Sequence, residues 1–146
     1  ERFSVQYDIQ EEIYSYCTVK LILQPILENA IYYGVGDMDE DDDPLIVVRG
    51  YKKEDDIYLC VEDNGMGMRE EDVRNILTDN QKVPKHGSGV GLINVHTRIQ
   101  LMFGEQYGLH VESEADEGTS VTVHLPAIPF TRENCEVLEK ANIGKE

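Results

Sequence analysis

Residues 21–33 limit the possible folds of this chain more than any other stretch. Ile22, Ile26, Ala30 and Tyr33 recur there at helical spacing, joined by Leu23, Leu27 and Ile31, so a wide apolar stripe has to be buried against another element. The spacing predicts an amphipathic helix, with Gly34 as a plausible stop. Pro25 costs little only within a first turn, so the helix is expected to start near Leu23 or to kink there. The same helix carries Glu28 and Asn29, polar groups that need partners wherever they are buried, and polar residues on an apolar helix point to function before packing.

The rest of the chain supplies what such a helix would pack on. Phe3, Val5, Tyr7 and Ile9 alternate with polar residues, as in a half-buried strand. Six of the seven residues from 37 to 43 are acidic; without the register of a calcium loop, they read as a solvated spacer. Residues 45–48 and 57–61 are strands apolar enough to be central in a sheet, joined by a charged turn at 52–56. Asp63-Asn64-Gly65-Met66-Gly67-Met68 follows the second of them and leads into a short helix over 70–77, with acidic residues in its first turn. After a weakly patterned stretch at 78–86, Gly87-Ser88-Gly89-Val90-Gly91 opens a second amphipathic helix marked by Leu92, Val95, Ile99 and Met102 and ended by Gly104. Residues 109–113 and 120–125 are two last strands around Glu117-Gly118-Thr119. The expected architecture is α/β, one domain over residues 1–128, with a polar tail at 129–146.

Composition narrows the partners. The 146 residues carry 29 acidic and 13 basic side chains, a formal net charge of −16, which argues against nucleic acid or direct contact with an anionic membrane. An anionic ligand would need local help from helix N-termini, backbone amides, a few basic side chains or a divalent cation. Cys17, Cys60 and Cys135 are odd in number, far apart and without a CxxC pair, which fits reduced cytosol rather than a disulfide framework or zinc site. No run reaches the roughly 18 apolar residues of a membrane span, and the start lacks a signal-peptide pattern. Because the sequence begins at Glu1 without Met, it is expected to be a cytoplasmic piece of a longer, membrane-anchored protein.

Gly87 to Gly91 is not a dinucleotide fingerprint, because a third glycine is missing at Leu92 and at Asn94, and no GxxxxGK[ST] motif is present. The order of the motifs carries more than any one of them. Glu28-Asn29 lies on a helix, Asp63-x-Gly65-x-Gly67 follows a strand, Gly87-x-Gly89-x-Gly91 opens a helix, and Gly118-Thr119 enters the last strand. An acid at a strand end can accept an adenine amino proton, neighbouring glycines let backbone approach a base, and glycines opening a helix present free N–H groups to phosphates. The Asn29 side-chain carbonyl suits a hard cation such as Mg²⁺.

Together, Leu23-Gln24-Pro25-Ile26-Leu27-Glu28-Asn29-Ala30-Ile31, Asp63-Asn64-Gly65-Met66-Gly67-Met68, Gly89-Val90-Gly91-Leu92-Ile93-Asn94-Val95 and Gly118-Thr119 resemble the motif boxes of the YesM/LytS-type sensor histidine kinases. The resemblance covers roughly residues 1–126. It implies a Bergerat-type two-layer α/β sandwich, a mixed sheet with helices on one face, and ATP between those helices under a flexible lid over residues 69–88. It also implies site roles. Asn29 would be the Mg²⁺ ligand, Asp63 the adenine-reading acid, and Gly65 and Gly67 the glycines at the base. Gly87, Gly89, Gly91 and Leu92 would support the phosphates, and Thr119 would contact the adenine side. Apart from the resemblance, Lys82 in the lid reads either as steering phosphate or as solvated surface charge. Glu28 would act as a base or orienter toward an incoming imidazole. Activity would be transfer of the ATP γ-phosphate to a histidine on a separate dimerisation domain, and then to a response regulator.

Two alternatives stand beside this reading: a non-catalytic nucleotide-sensing module, and a superfamily ATPase or serine kinase. ATP-hydrolysing members of the superfamily place an activating acid four residues before the Asn, where this chain has Pro25, which disfavours the ATPase. None of His86, His96, His110 and His124 stands in the family's acceptor context, a His followed by Phe-Leu-Phe-Asn. The last three are read as ordinary helix and strand residues.

Overall fold

The computed structural model describes residues 3–11, 17–36, 38–77 and 88–127. The period-2 segments form five strands: β1 (Ser4–Ile9), β2 (Leu45–Lys53), β3 (Asp56–Asp63), β4 (Gly108–Glu114) and β5 (Gly118–Pro126). The period-3.6 segments form α1 (Cys17–Asn29), which runs on into a π-helical turn Ala30–Val35, the short α2 (Glu70–Asn75) and α3 (Ser88–Phe103). One mixed sheet results, in the order β1-β2-β3-β5-β4. β1 and β2 are parallel, joined by the crossover through α1, and the other three pairings are antiparallel.

Alternation sorts the strands into two faces. Ile46, Val48, Ile57, Leu59, Val61, Val121, Val123 and Leu125 are buried on one of them, beneath Ile22 and Ile26 of α1 and Leu92, Val95 and Ile99 of α3. Each such side chain contributes about 1.5–3 kcal/mol of burial. The intervening residues Tyr58, Cys60, Glu62, Ser120, Thr122 and His124 are half-buried, so among the described residues the helices lie on one face. This is the expected two-layer arrangement, with β2 and β3 interior to the sheet as their apolar runs require.

The first helix departs from expectation. It begins at Cys17, so Pro25 lies two turns inside it, and Gly34 does not end it, because the π-helical turn continues to Val35. Burial of Ile22 and Ile26, on either side of the proline, outweighs the backbone hydrogen bond that Pro25 cannot make. α3 ends where expected, at Gly104, whose φ of +113° is strained for any residue with a Cβ. Within the acidic spacer Asp39, Asp41, Asp42 and Asp43 are exposed around a short 3₁₀ turn, while Met38 packs back onto the core.

This topology gathers the motifs. α1 leaves the far end of β1 and returns to the end where β2 starts, so Asn29 and the π-helical turn arrive beside the C-terminal end of β3. α3 reverses into β4 within a few residues, which points its N-terminal turn at that same end of the sheet. Asp63 and Thr119 are directly paired there. No helix among the described residues is long and apolar enough to cross a membrane.

Candidate functional site

Asp63 is the last residue of β3. Its Oδ1 accepts the Gly65 backbone N–H at 2.9 Å, the tight turn that Asp before Asn-Gly favours. Burial pushes its carboxyl above the usual range, and the backbone N–H groups of Gly65 and Thr119 pull the other way. Two backbone donors do not saturate a carboxylate, which has room for about four, so Asp63 both caps its turn and retains acceptor capacity. Gly34 packs directly against it. A Cβ on Gly34 would fall on the Asp63 carboxyl carbon and within 2.5 and 2.6 Å of its two oxygens.

Asn29 is 5% exposed, and its side-chain Oδ1 is fully buried without a hydrogen-bond partner among the described residues. An orphaned acceptor costs about 1–3 kcal/mol, and a cation or ligand hydrogen would relieve it. No group of three or more His, Cys, Asp or Glu is placed to hold a metal among the described residues. The unpartnered Asn29 Oδ1 fits the role of a protein ligand to Mg²⁺, an ion that keeps most of its shell for water and phosphate oxygens. Glu28 is one helical position round and exposed, and it accepts the Gln24 side-chain N–H at 3.1 Å. Pro25, one turn before Asn29, places no carboxylate near that acceptor.

The loop after Asp63 is pinned on both sides. Asn64 Oδ1 accepts the Leu45 N–H at 2.8 Å and its Nδ2 donates to the Asp43 carbonyl at 3.0 Å, tying the loop to the start of β2. Ser113 Oγ accepts the Met68 N–H at 2.8 Å and contacts both the Gly118 carbonyl and Thr119 Oγ1 at 2.8 Å, tying the loop to the β4–β5 hairpin. The sequence offered no signal for Ser113, and that for Asn64 was its place beside Asp63. Thr119 is buried with its hydroxyl on Ser113, so its contact with Asp63 is through backbone. Gly65 and Gly67 have a reason internal to the fold as well: a Cβ on the first would strike the Gly34 carbonyl, and on the second the Glu114 carbonyl. Met68 packs on the core and Met66 is exposed.

Gly89 and Gly91 lie in the first described turn of α3, where N–H groups have no intrahelical acceptor among the described residues and a helix start favours an anion. Leu92 is fully buried in the core, so its side chain supports the helix and only its backbone remains for a phosphate. Lys82 and Gly87 lie outside the described residues, as do residues 78–87 of the lid expected over 69–88. His124 meets the Asp56 carboxylate at 2.8 Å through tertiary contact, and His110 meets that of Glu112, two residues on in the same strand, at 2.9 Å.

Comparison with known proteins bears on the family and the fold. The sensor histidine kinase YesM of Bacillus subtilis is 36% identical over 126 residues, covering 86% of this chain and 20% of that protein. The sensor protein LytS of Bacillus anthracis is 30% identical over 127 residues, covering 86% and 21%. This chain therefore spans about a fifth of the length of these relatives. The blue-light activated histidine kinase EL346 of Erythrobacter litoralis shares the fold, with a TM-score of 0.58 at 18% identity over 92% of this chain and 37% of that one. Residues 18–129 match the family described as histidine kinase-, DNA gyrase B- and HSP90-like ATPases, and the chain belongs to that family.

Proposed function

We propose that this chain is the ATP-binding catalytic domain of a two-component sensor histidine kinase, presenting the ATP γ-phosphate to a histidine on a separate dimerisation domain. The observation that carries the reading is the buried, unpartnered Asn29 Oδ1 at the same end of the sheet as the half-buried Asp63 carboxylate. Asp63 accepts the adenine amino hydrogen, with Gly65 and Gly67 at the base. The phosphates extend toward the first described turn of α3, where Gly89 and Gly91 let them approach the backbone and the helix dipole favours negative charge. Asn29 would hold Mg²⁺, and the ion would supply charge neutralisation for the phosphoryl group. Residues 69–88 close over the nucleotide, with Lys82 and Gly87 on the phosphate side.

Glu28, exposed and held by Gln24, faces outward from the Asn29 position and orients the incoming imidazole. Pro25 in place of an acid leaves water without an activating base, which favours transfer to histidine over hydrolysis. Little covalent chemistry falls to the protein; positioning and charge neutralisation carry the rate. The dimerisation domain and a response regulator downstream are the partners, on the cytoplasmic side of a membrane-anchored protein.

The test uses γ-labelled ATP with this chain alone and with the histidine-bearing domain added. Acid-labile label is expected only on the added domain, and not with Asn29→Ala. Prompt stoichiometric phosphohistidine on this chain alone, or undiminished transfer by Asn29→Ala, would overturn the reading. Nucleotide binding with no transfer under any arrangement would favour the sensing module instead.

A further inference from the structure

We infer that Gly34 is a specificity-determining position: its missing side chain is what lets the Asp63 carboxylate sit where it reads the base. The inference rests on the adenine reading above. Gly34 is buried in the π-helical turn that extends α1, five residues beyond Asn29. That wider turn brings its backbone against the end of β3 and the loop that follows, an arrangement often met at functional sites. The atoms a Cβ on Gly34 would meet are the three terminal atoms of Asp63, its carboxyl carbon and both oxygens. The Gly34 carbonyl in turn accepts the Met66 N–H at 3.3 Å and leaves no room for a Cβ on Gly65.

Gly34, Gly65 and Asp63 therefore form one contact, in which the helix bearing Asn29 sets the position of the carboxylate. Of the groups in that contact, the carboxylate is the one that can move. Asp63 has two side-chain torsions and two backbone donors holding it, whereas the Gly34 backbone is fixed within a helical turn. An added methyl at residue 34 would push the carboxylate off the Gly65 and Thr119 N–H groups and away from the base. The helix and the phosphate side of the site would stay in place.

Gly34→Ala is expected to weaken ATP binding by about tenfold or more, the scale of one hydrogen bond to a charged acceptor. Preference for ATP over GTP should shrink by the same factor, because guanine offers a carbonyl where adenine has its amino group. Binding of Mg²⁺-tripolyphosphate should be unchanged, which a general loosening of the fold would not permit. In an Asp63→Ala background the obstructing atoms are gone, so adding Gly34→Ala should change neither nucleotide affinity nor melting temperature further.

Calorimetric titration of the four chains with ATP, GTP and Mg²⁺-tripolyphosphate decides it. A Gly34→Ala chain with the wild-type ATP-to-GTP ratio, or an equal loss in the Asp63→Ala background, would overturn the inference. If Gly34→Ala alone does not fold, recovery of folding in the double variant supports the contact and continued failure refutes it. Equal binding of ATP and GTP by the wild type would remove the adenine reading itself, and this inference with it.

Discussion

Asp63 is both a turn cap and a half-buried charge, and the two roles act oppositely on its proton. Burial raises its carboxyl pKa above the ordinary 3.8, and the Gly65 and Thr119 N–H groups only partly offset this. Between the unfolded and folded values the native state holds an extra proton. The folded chain therefore loses stability as pH rises through that window, and the penalty persists above it. Asp63→Asn removes the titration, so its stability relative to wild type should climb from acid to neutral pH, as urea unfolding across the range would show. Over the same range the variant should bind ATP about 10- to 150-fold more weakly at neutral pH, and the wild type should lose affinity as acid protonates Asp63. A stability difference independent of pH would contradict the assigned shift. Asp63 was legible in the sequence because a strand followed by Asp-x-Gly-x-Gly is a local pattern; Gly34 was read as a helix stop because its contact is with a residue 29 positions away.

At the level of elements, the α3–β4 junction has its own titrating group. His96 Nδ1 accepts the Leu109 N–H at 2.9 Å, Gly108 has no space for a Cβ beside the ring, and burial holds the imidazole pKa below 6.5. The bond needs the neutral ring, so the unfolded chain takes up a proton at a higher pH than the folded one. His96 therefore contributes its full stability above 6.5, and that contribution is lost as pH falls from there through the folded value. His96→Ala should cost about 1–3 kcal/mol at neutral pH, by leaving the Leu109 N–H without its acceptor, and should flatten the pH slope below 6.5. An unchanged slope in urea unfolding would refute this role. In sequence His96 was an ordinary helix residue, since helical periodicity says which face it shares with Leu92 and Ile99 but not what meets that face. The bounds of α1 were misplaced for a related reason: Pro25 weighs on local propensity, whereas packing under Ile22 and Ile26 is a tertiary gain.

For the whole molecule, the core among the described residues draws its buried side chains from Ile22 through Leu125, and its half-buried margin from Phe3 through Ala127. A chain ending after residue 128 should therefore fold with a melting temperature within about 2 °C of the full chain, on the scale of a few tenths of a kcal/mol. It should also be stabilised to the same extent by Mg²⁺-ATP, about 2.7 kcal/mol at a hundredfold excess over Kd. A large drop in either value would show that residues 129–146 belong to the domain. The sequence alone determined the elements, their order and the motif each one carries, because alternation, helical period and glycine placement are properties of neighbouring residues. Tertiary structure alone decided which of those motifs touch. Gly34 against Asp63, Ser113 against Thr119 and Asn64 against Leu45 depend on register and crossover geometry, where a shift of one residue turns every side chain of a strand to the other face.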